Sequence, residues 1–166
     1  IIINAEISNV LFYFFPMPDY IFLLFDEITS DVWGVIGVII IASVTEEILF
    51  RGMILSGLRK FYSNWKAIII SATLFGLVHI IPWQVLPAIL AGIFIGWIYI
   101  TFDSIWICFI IHSFNNAIAA IPEYLGITIT GLIYDLRKGV QFQPPLIVFM
   151  GILFFIYGVY NIKNRI

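Results

Sequence analysis

The chain alternates long apolar runs with short polar or proline-containing breaks. Most of these runs approach the roughly 20 residues that a membrane-spanning helix needs. The first run, residues 7–25, is interrupted by Pro16, Pro18 and Asp19, and it predicts a kinked or partly missing span. Further spans are predicted at residues 32–58, 66–81, 84–101, 105–121 and 145–160. The pattern therefore predicts five or six helices in an all-α, polytopic transmembrane helix bundle.

Composition supports a membrane protein. The 166 residues are 62% hydrophobic and 11% charged, whereas about 25% of residues are charged in soluble domains. The net charge of −2 leaves no basic face for nucleic acid, so we expect the lipid bilayer and no nucleic acid as a partner. The single cysteine, Cys108, excludes an internal disulfide and a thiolate zinc site.

The chain reads as one transmembrane domain over residues 1–166, without an interdomain linker or a repeat. It begins with Ile1 rather than methionine, and we expect its N-terminus to be incomplete. Charge bias predicts that the basic turn after residue 58 and the basic C-terminal tail are cytoplasmic. Arg137 and Lys138 fall on the outer side and oppose this orientation.

Two adjacent carboxylates, Glu46 and Glu47, lie inside the apolar span 32–58, and Arg51 follows one turn later. An ionised side chain at a helix centre costs about 2.5 to 3.5 kcal/mol, so such a cluster predicts a functional site. Glu47 and Arg51 are four residues apart, and we expect an ion pair between them. Glu46 points about 100° away from Glu47, which leaves it free to face another helix. Alternatively, the three charges only join helices through a buried network.

Two further pairs have the same spacing of four, Phe75 with His79 and His112 with Asn116. Each pair alone is equally consistent with helix packing, because polar side chains also hold membrane helices together. Helix rise places Glu46, His79 and His112 roughly 18, 20 and 12 Å from the cytoplasmic helix ends, which is a similar level. Together these residues predict a hydrolytic site in the membrane. Glu46 would take a proton from water, and His79 would hold that water directly or through a metal. His112 and Asn116 would donate hydrogen bonds to the oxyanion.

The three motifs, in this order and on separate apolar helices, resemble those of the CPBP intramembrane proteases. They are Glu46-Glu47-x-x-x-Arg51, Phe75-x-x-x-His79 and His112-x-x-x-Asn116. That family includes the eukaryotic type II CAAX prenyl endopeptidases and the bacterial Abi proteins, which are linked to bacteriocin processing and self-immunity. The resemblance covers about residues 32–120 and leaves both ends of the chain unassigned.

The resemblance implies an intramembrane endopeptidase that acts on a membrane-associated peptide or protein substrate. Glu46 would activate the water, with His79 as its partner. The supporting and oxyanion-stabilising residues would be Glu47, Arg51, His112 and Asn116. We expect CAAX-type processing or, in the cell membrane of a prokaryote, bacteriocin maturation or self-immunity.

The use of a metal is open at this point. Glu46, His79 and His112 could furnish a three-ligand Zn²⁺ site, but a metal-bound Glu46 could not easily serve as the base as well. We therefore favour a water held without a tightly bound zinc. Two other function classes compete with a protease. One is an ion- or proton-coupled transporter, because intramembrane Glu and His build proton relays; the other is a non-catalytic immunity or scaffold protein.

Overall fold

The computed structural model describes residues 1–132 and 139–164, and this part of the chain folds into an all-α bundle. The helices are α1 (Ile2–Phe14), α2 (Asp19–Ile28), α3 (Val32–Leu58), α4 (Asn64–Leu77), α5 (Pro82–Phe102), α6 (Ile105–Tyr124) and α7 (Pro145–Lys163). Helices α3, α5, α6 and α7 are long and apolar enough to cross a membrane. The predicted fold class is confirmed, and the chain is an integral membrane protein.

The membrane orientation was predicted from the basic residues of the chain. Three of these residues lie outside the described part of the chain: Arg137, Lys138 and Arg165.

The prediction of one kinked span over residues 7–25 was wrong, because two separate helices, α1 and α2, occupy this region. Pro16 and Pro18 lack backbone N–H groups and push the residues before them out of the α conformation, so the helix stops. The indole Nε1–H of Trp83 donates to the carbonyl of Phe15 at 2.6 Å. This hydrogen bond holds the break between α1 and α2 next to the first turn of α5.

Helix α4 ends at Leu77, four residues earlier than the predicted span. The chain then makes a three-residue turn, in which the N–H of Ile81 donates to the carbonyl of His79 at 2.6 Å. The central residue, Ile80, has φ +62°, a left-handed conformation that β-branched residues rarely adopt. His79 therefore lies just past the end of α4 rather than on it.

Helices α4 and α5 pack closely through small residues. A Cβ atom on Gly92 would lie 3.0 Å from Cβ of Ala72, and one on Gly96 would lie 3.4 Å from Cγ2 of Ile68. Glycine at position 92 lets the two backbones approach, whereas a Cβ atom at position 96 would make ordinary van der Waals contacts. Gly92 therefore lies on the face of α5 that packs against α4.

Candidate active site

Helix α3 carries the two carboxylates on a short α-helical stretch between two wide π-helical segments. The segments are Gly37–Ala42 and Ile48–Leu55, with Ser43–Glu47 between them. Such segments inside an α-helix are frequent at functional sites. Ser71 Oγ on α4 donates to the carbonyl of Phe50 in the second segment at 3.2 Å. Asn116 on α6 binds the first segment in the same way, so both neighbouring helices hold the stretch that presents the acids.

Glu47 is the centre of a buried polar network. Its Oε1 accepts from the guanidinium of Arg51 at 2.8 Å and lies 2.8 Å from Nδ1 of His112. The predicted Glu47–Arg51 ion pair is confirmed. Because an ionised carboxylate only accepts hydrogen bonds, Nδ1 of His112 carries the proton, which leaves Nε2 available. The other oxygen of Glu47, Oε2, is buried without a hydrogen-bond partner among the described residues.

Arg51 is held by three helices at once. Besides Glu47 on its own helix, it donates through Nη2 to the carbonyl of Gly92 on α5 at 3.3 Å. Its guanidinium carbon lies 4.9 Å from the centroid of the Phe75 ring on α4. A buried charge is costly unless it is paired and hydrogen-bonded. These contacts meet that requirement and fix the position of Glu47.

Glu46 differs from Glu47 in its surroundings, as their directions on the helix predicted. Its side chain is 31% exposed, and its Oε2 lies 3.7 Å from Nε2 of His112. That distance exceeds hydrogen-bond length. The imidazole of His112 therefore lies between the two acids, bonded to the buried one and close to the accessible one.

Phe75 connects the second histidine to this network. Its ring lies edge-to-face with the rings of His79 and His112, at centroid distances of 4.9 and 5.7 Å. Nδ1 of His79 lies 2.8 Å from the carbonyl of Phe75, and a carbonyl accepts from an Nδ1–H, so Nε2 of His79 is also left available. Within the described ranges no hydrogen bond or ion pair joins His79 to Glu46. Their direct partnership stays a prediction.

Asn116 faces α3 at Val38 and Ser43, which precede Glu46 by eight and three residues. Its Nδ2 donates to the carbonyl of Val38 at 3.0 Å and to Oγ of Ser43 at 3.2 Å. Both amide hydrogens are thus engaged in holding α6 against α3. Its predicted donation to an oxyanion stays a prediction.

Zinc was the cofactor weighed from the sequence, with Glu46, His79 and His112 as its ligands. These donor types suit Zn²⁺. In the described part of the chain, no group of three or more His, Cys, Asp or Glu side chains is placed to hold a metal ion, and the zinc site stays a prediction. The ring of Phe75 contacts both His79 and His112.

Three contributors to the site were not singled out from the sequence: Ser71, the carbonyl of Gly92 and the carbonyl of Val38. Ser71 could have been found, because it precedes Phe75 by four residues and so shares its helix face. Gly92 has no side chain, so the bond from Arg51 to its carbonyl has no signal in the sequence. The role of the Val38 carbonyl could not be found from the sequence. Val38 lies in a π-helical segment, and the apolar residues of α3 do not indicate where such segments occur.

A family model described as "Type II CAAX prenyl endopeptidase Rce1-like" matches residues 28–118. This interval contains all six of the predicted site residues. Neither the curated proteins nor the solved structures include a match to the chain.

Proposed function

The chain belongs to the Rce1-like family of type II CAAX prenyl endopeptidases, and from this membership we propose that it is an intramembrane endopeptidase whose general base is Glu46. The observation that supports Glu46 most directly is the position of His112 between the two carboxylates. Glu47 accepts from Nδ1 at 2.8 Å, and Glu46 lies 3.7 Å from Nε2. Glu47 is neutralised by Arg51 and orients the imidazole of His112, whereas Glu46 is left to act on a substrate.

In the proposed reaction, Glu46 takes a proton from a water molecule. The water oxygen forms a bond to the carbonyl carbon of the scissile peptide, and the carbonyl oxygen becomes an oxyanion. Glu46 then gives the proton to the leaving nitrogen as the C–N bond breaks. A general base of this kind contributes about 10²- to 10⁴-fold to the rate.

His112 has the geometry to assist this step. Since its Nδ1–H is directed to Glu47, only Nε2 faces the side on which Glu46 is accessible. In its protonated form, Nε2–H can donate to the developing oxyanion, an interaction whose loss typically costs about 2.7 to 4 kcal/mol. Glu47 and Arg51 act through His112 and are positioning residues.

His79 would bind the water or the substrate from the end of α4. Its Nε2 is left available by the bond from Nδ1 to the carbonyl of Phe75. The turn centred on Ile80 fixes the backbone next to it.

The proposed substrates are peptides or proteins held at the membrane. The family description names prenylated CAAX substrates; a role in bacteriocin maturation or self-immunity in a prokaryotic cell membrane is the alternative within the same chemistry. Cleavage of a farnesylated C-terminal peptide, compared with its non-prenylated form, distinguishes the two. A preference for the prenylated peptide supports CAAX-type processing.

The test is hydrolysis of such a peptide by the purified full chain in liposomes, for the wild type and Glu46→Gln. We expect Glu46→Gln to lower kcat by about 10²- to 10⁴-fold. Because Glu46 is partly exposed and outside the Arg51 network, we also expect its free energy of unfolding to change by no more than about 0.5 kcal/mol. Glu27→Gln, the same change on the exposed α2, is the matched control and should retain activity.

Full activity of Glu46→Gln would eliminate the proposal. A clear loss of stability instead of activity would indicate a scaffold role. Ion flux that depends on Glu46, without peptide hydrolysis, would indicate a transporter.

A further inference from the structure

The exposed basic residues of the described chain lie at one end of the bundle, where α3, α5 and α7 end and α4 and α6 begin. They are Arg59, Lys60, Lys66 and Lys163. The guanidinium of Arg59 lies 3.9 Å from the carboxylate of Asp103, which directly follows α5. Ile162 packs against the cluster that includes Ile98 near the end of α5. These contacts bring the three helix ends together.

The α3–α4 connection and the first turn of α4 add aromatic rings to these charges. Phe61 is 82% exposed, Trp65 is 57% exposed, and Tyr62 is also exposed. The ammonium of Lys66 lies 4.6 Å from the centroid of the Tyr62 ring. We refer to this surface as the basic–aromatic surface; its residues are Arg59, Lys60, Phe61, Tyr62, Trp65 and Lys66.

The charge of this end is complementary to an anionic surface. Within the described ranges, Asp103 is the one acidic residue in the connections at this end, and it lies beside Arg59. Acidic residues lie instead at the opposite end, where Asp31 precedes α3 and Glu123 lies in the last turn of α6. Basic segments beside membrane helices are attracted to anionic lipid headgroups.

The aromatic rings favour a lipid surface over a soluble protein partner. Tyr and Trp are enriched where a membrane helix meets the headgroups, because one part of the ring is apolar and another is polar. Apolar side chains are also exposed on the same two helices, at Met53 on α3 and at Ile69, one turn after Trp65 on α4. A surface that joins lipid-facing helix flanks to basic side chains fits the boundary of a bilayer.

We propose that the basic–aromatic surface binds anionic phospholipid headgroups in the leaflet at this end of the bundle. Lys60 and Lys66 supply the charge that selects the headgroup, and Phe61 and Trp65 enter the acyl-chain boundary beneath it. The binding does not involve the residues around Glu46, so it is independent of the proposed catalysis.

The test is a competition in which the full chain, in neutral detergent, binds phosphatidylglycerol and phosphatidylcholine with identical acyl chains. Native mass spectrometry measures the ratio of the two bound lipids. We expect the wild type to prefer phosphatidylglycerol. We expect Lys60→Gln/Lys66→Gln to lose about five-fold in preference for each lysine removed. Lys60→Arg/Lys66→Arg, which keeps the charge, should retain the preference.

Lys163→Gln is the matched control, because it removes one charge at the same end but outside the α3–α4 connection. It should keep most of the preference. A wild type without preference for phosphatidylglycerol would overturn the proposal and point to a protein partner for this surface. An unchanged preference in Lys60→Gln/Lys66→Gln, or an equal loss in Lys163→Gln, would also overturn it, because the surface would then have no selective role.

Discussion

Nδ1 of His112 on α6 lies 2.8 Å from Oε1 of Glu47 on α3, the same oxygen that binds Arg51. This single carboxylate oxygen therefore joins the imidazole to the buried positive charge. It fixes which nitrogen of His112 carries the proton and which one remains for a substrate. Glu47 therefore both stabilises the fold and positions the imidazole of His112.

Glu47→Gln should destabilise the protein strongly. The substitution keeps the shape of the side chain but leaves the guanidinium of Arg51 buried without a counter-charge. Removal of one partner of a buried pair costs about 3 to 5 kcal/mol. Unfolding in mixed detergent micelles measures the change. The double variant Glu47→Gln/Arg51→Met removes both charges and should be less destabilised than Glu47→Gln alone; equal or additive losses would contradict the pairing.

The variant Asn116→Asp distinguishes two roles that the sequence left open for Asn116, a clamp between α6 and α3 and a donor to an oxyanion. If it clamps α6 to α3, Asn116→Asp should lower the free energy of unfolding by about 1 to 3 kcal/mol, because an acceptor would face the carbonyl of Val38. If it acts only on an oxyanion, kcat alone should fall, by about 10²- to 10³-fold. Since both its amide hydrogens contact α3, we expect the loss of stability.

The matched control for this measurement is Asn161→Asp. Asn161 donates to a carbonyl of its own helix, α7, in an exposed position. It should change stability by about 0.5 kcal/mol or less. A similar loss in both variants would show that the effect is one of charge and not of the clamp.

The sequence predicted the parts of the site that follow from helix periodicity. The spacing of Glu47 and Arg51 was sufficient for their ion pair, and the 100° between adjacent residues was sufficient to separate Glu46 from Glu47. The apolar runs were likewise sufficient for the spans of α3, α5, α6 and α7. These features depend only on local geometry, which the residue pattern carries directly.

What the sequence did not predict depends on backbone departures from regular helix. The turn at Ile80 ends α4 early and places His79 past the helix, although isoleucine gives no signal of a left-handed conformation. The π-helical segments of α3 bring the carbonyls of Val38 and Phe50 to donors on other helices. Such departures are stabilised by tertiary contacts, so they cannot be read from one segment of sequence.

Chelation tests whether a metal takes part. Because the described Glu and His side chains do not converge as a metal site, we expect peptide hydrolysis to survive treatment with 1,10-phenanthroline and dialysis. Elemental analysis of the same sample should show no stoichiometric zinc. Loss of activity that added Zn²⁺ restores would contradict this expectation.

Gly92→Ala tests whether the close packing of α4 and α5 supports the site. The added Cβ would lie 3.0 Å from Cβ of Ala72 and 3.2 Å from Cδ1 of Phe75, so the neighbouring atoms of α4 must shift by a few tenths of an ångström. Overpacking of this kind costs about 1 to 3 kcal/mol. Because the carbonyl of Gly92 binds Arg51, kcat should fall together with stability. Gly57→Ala is the matched control, since its Cβ would meet no atom within 4 Å; it should be neutral or stabilising by up to about 1 kcal/mol. Equal behaviour of the two variants in thermal unfolding and peptide hydrolysis would show that the helix contact does not position the site.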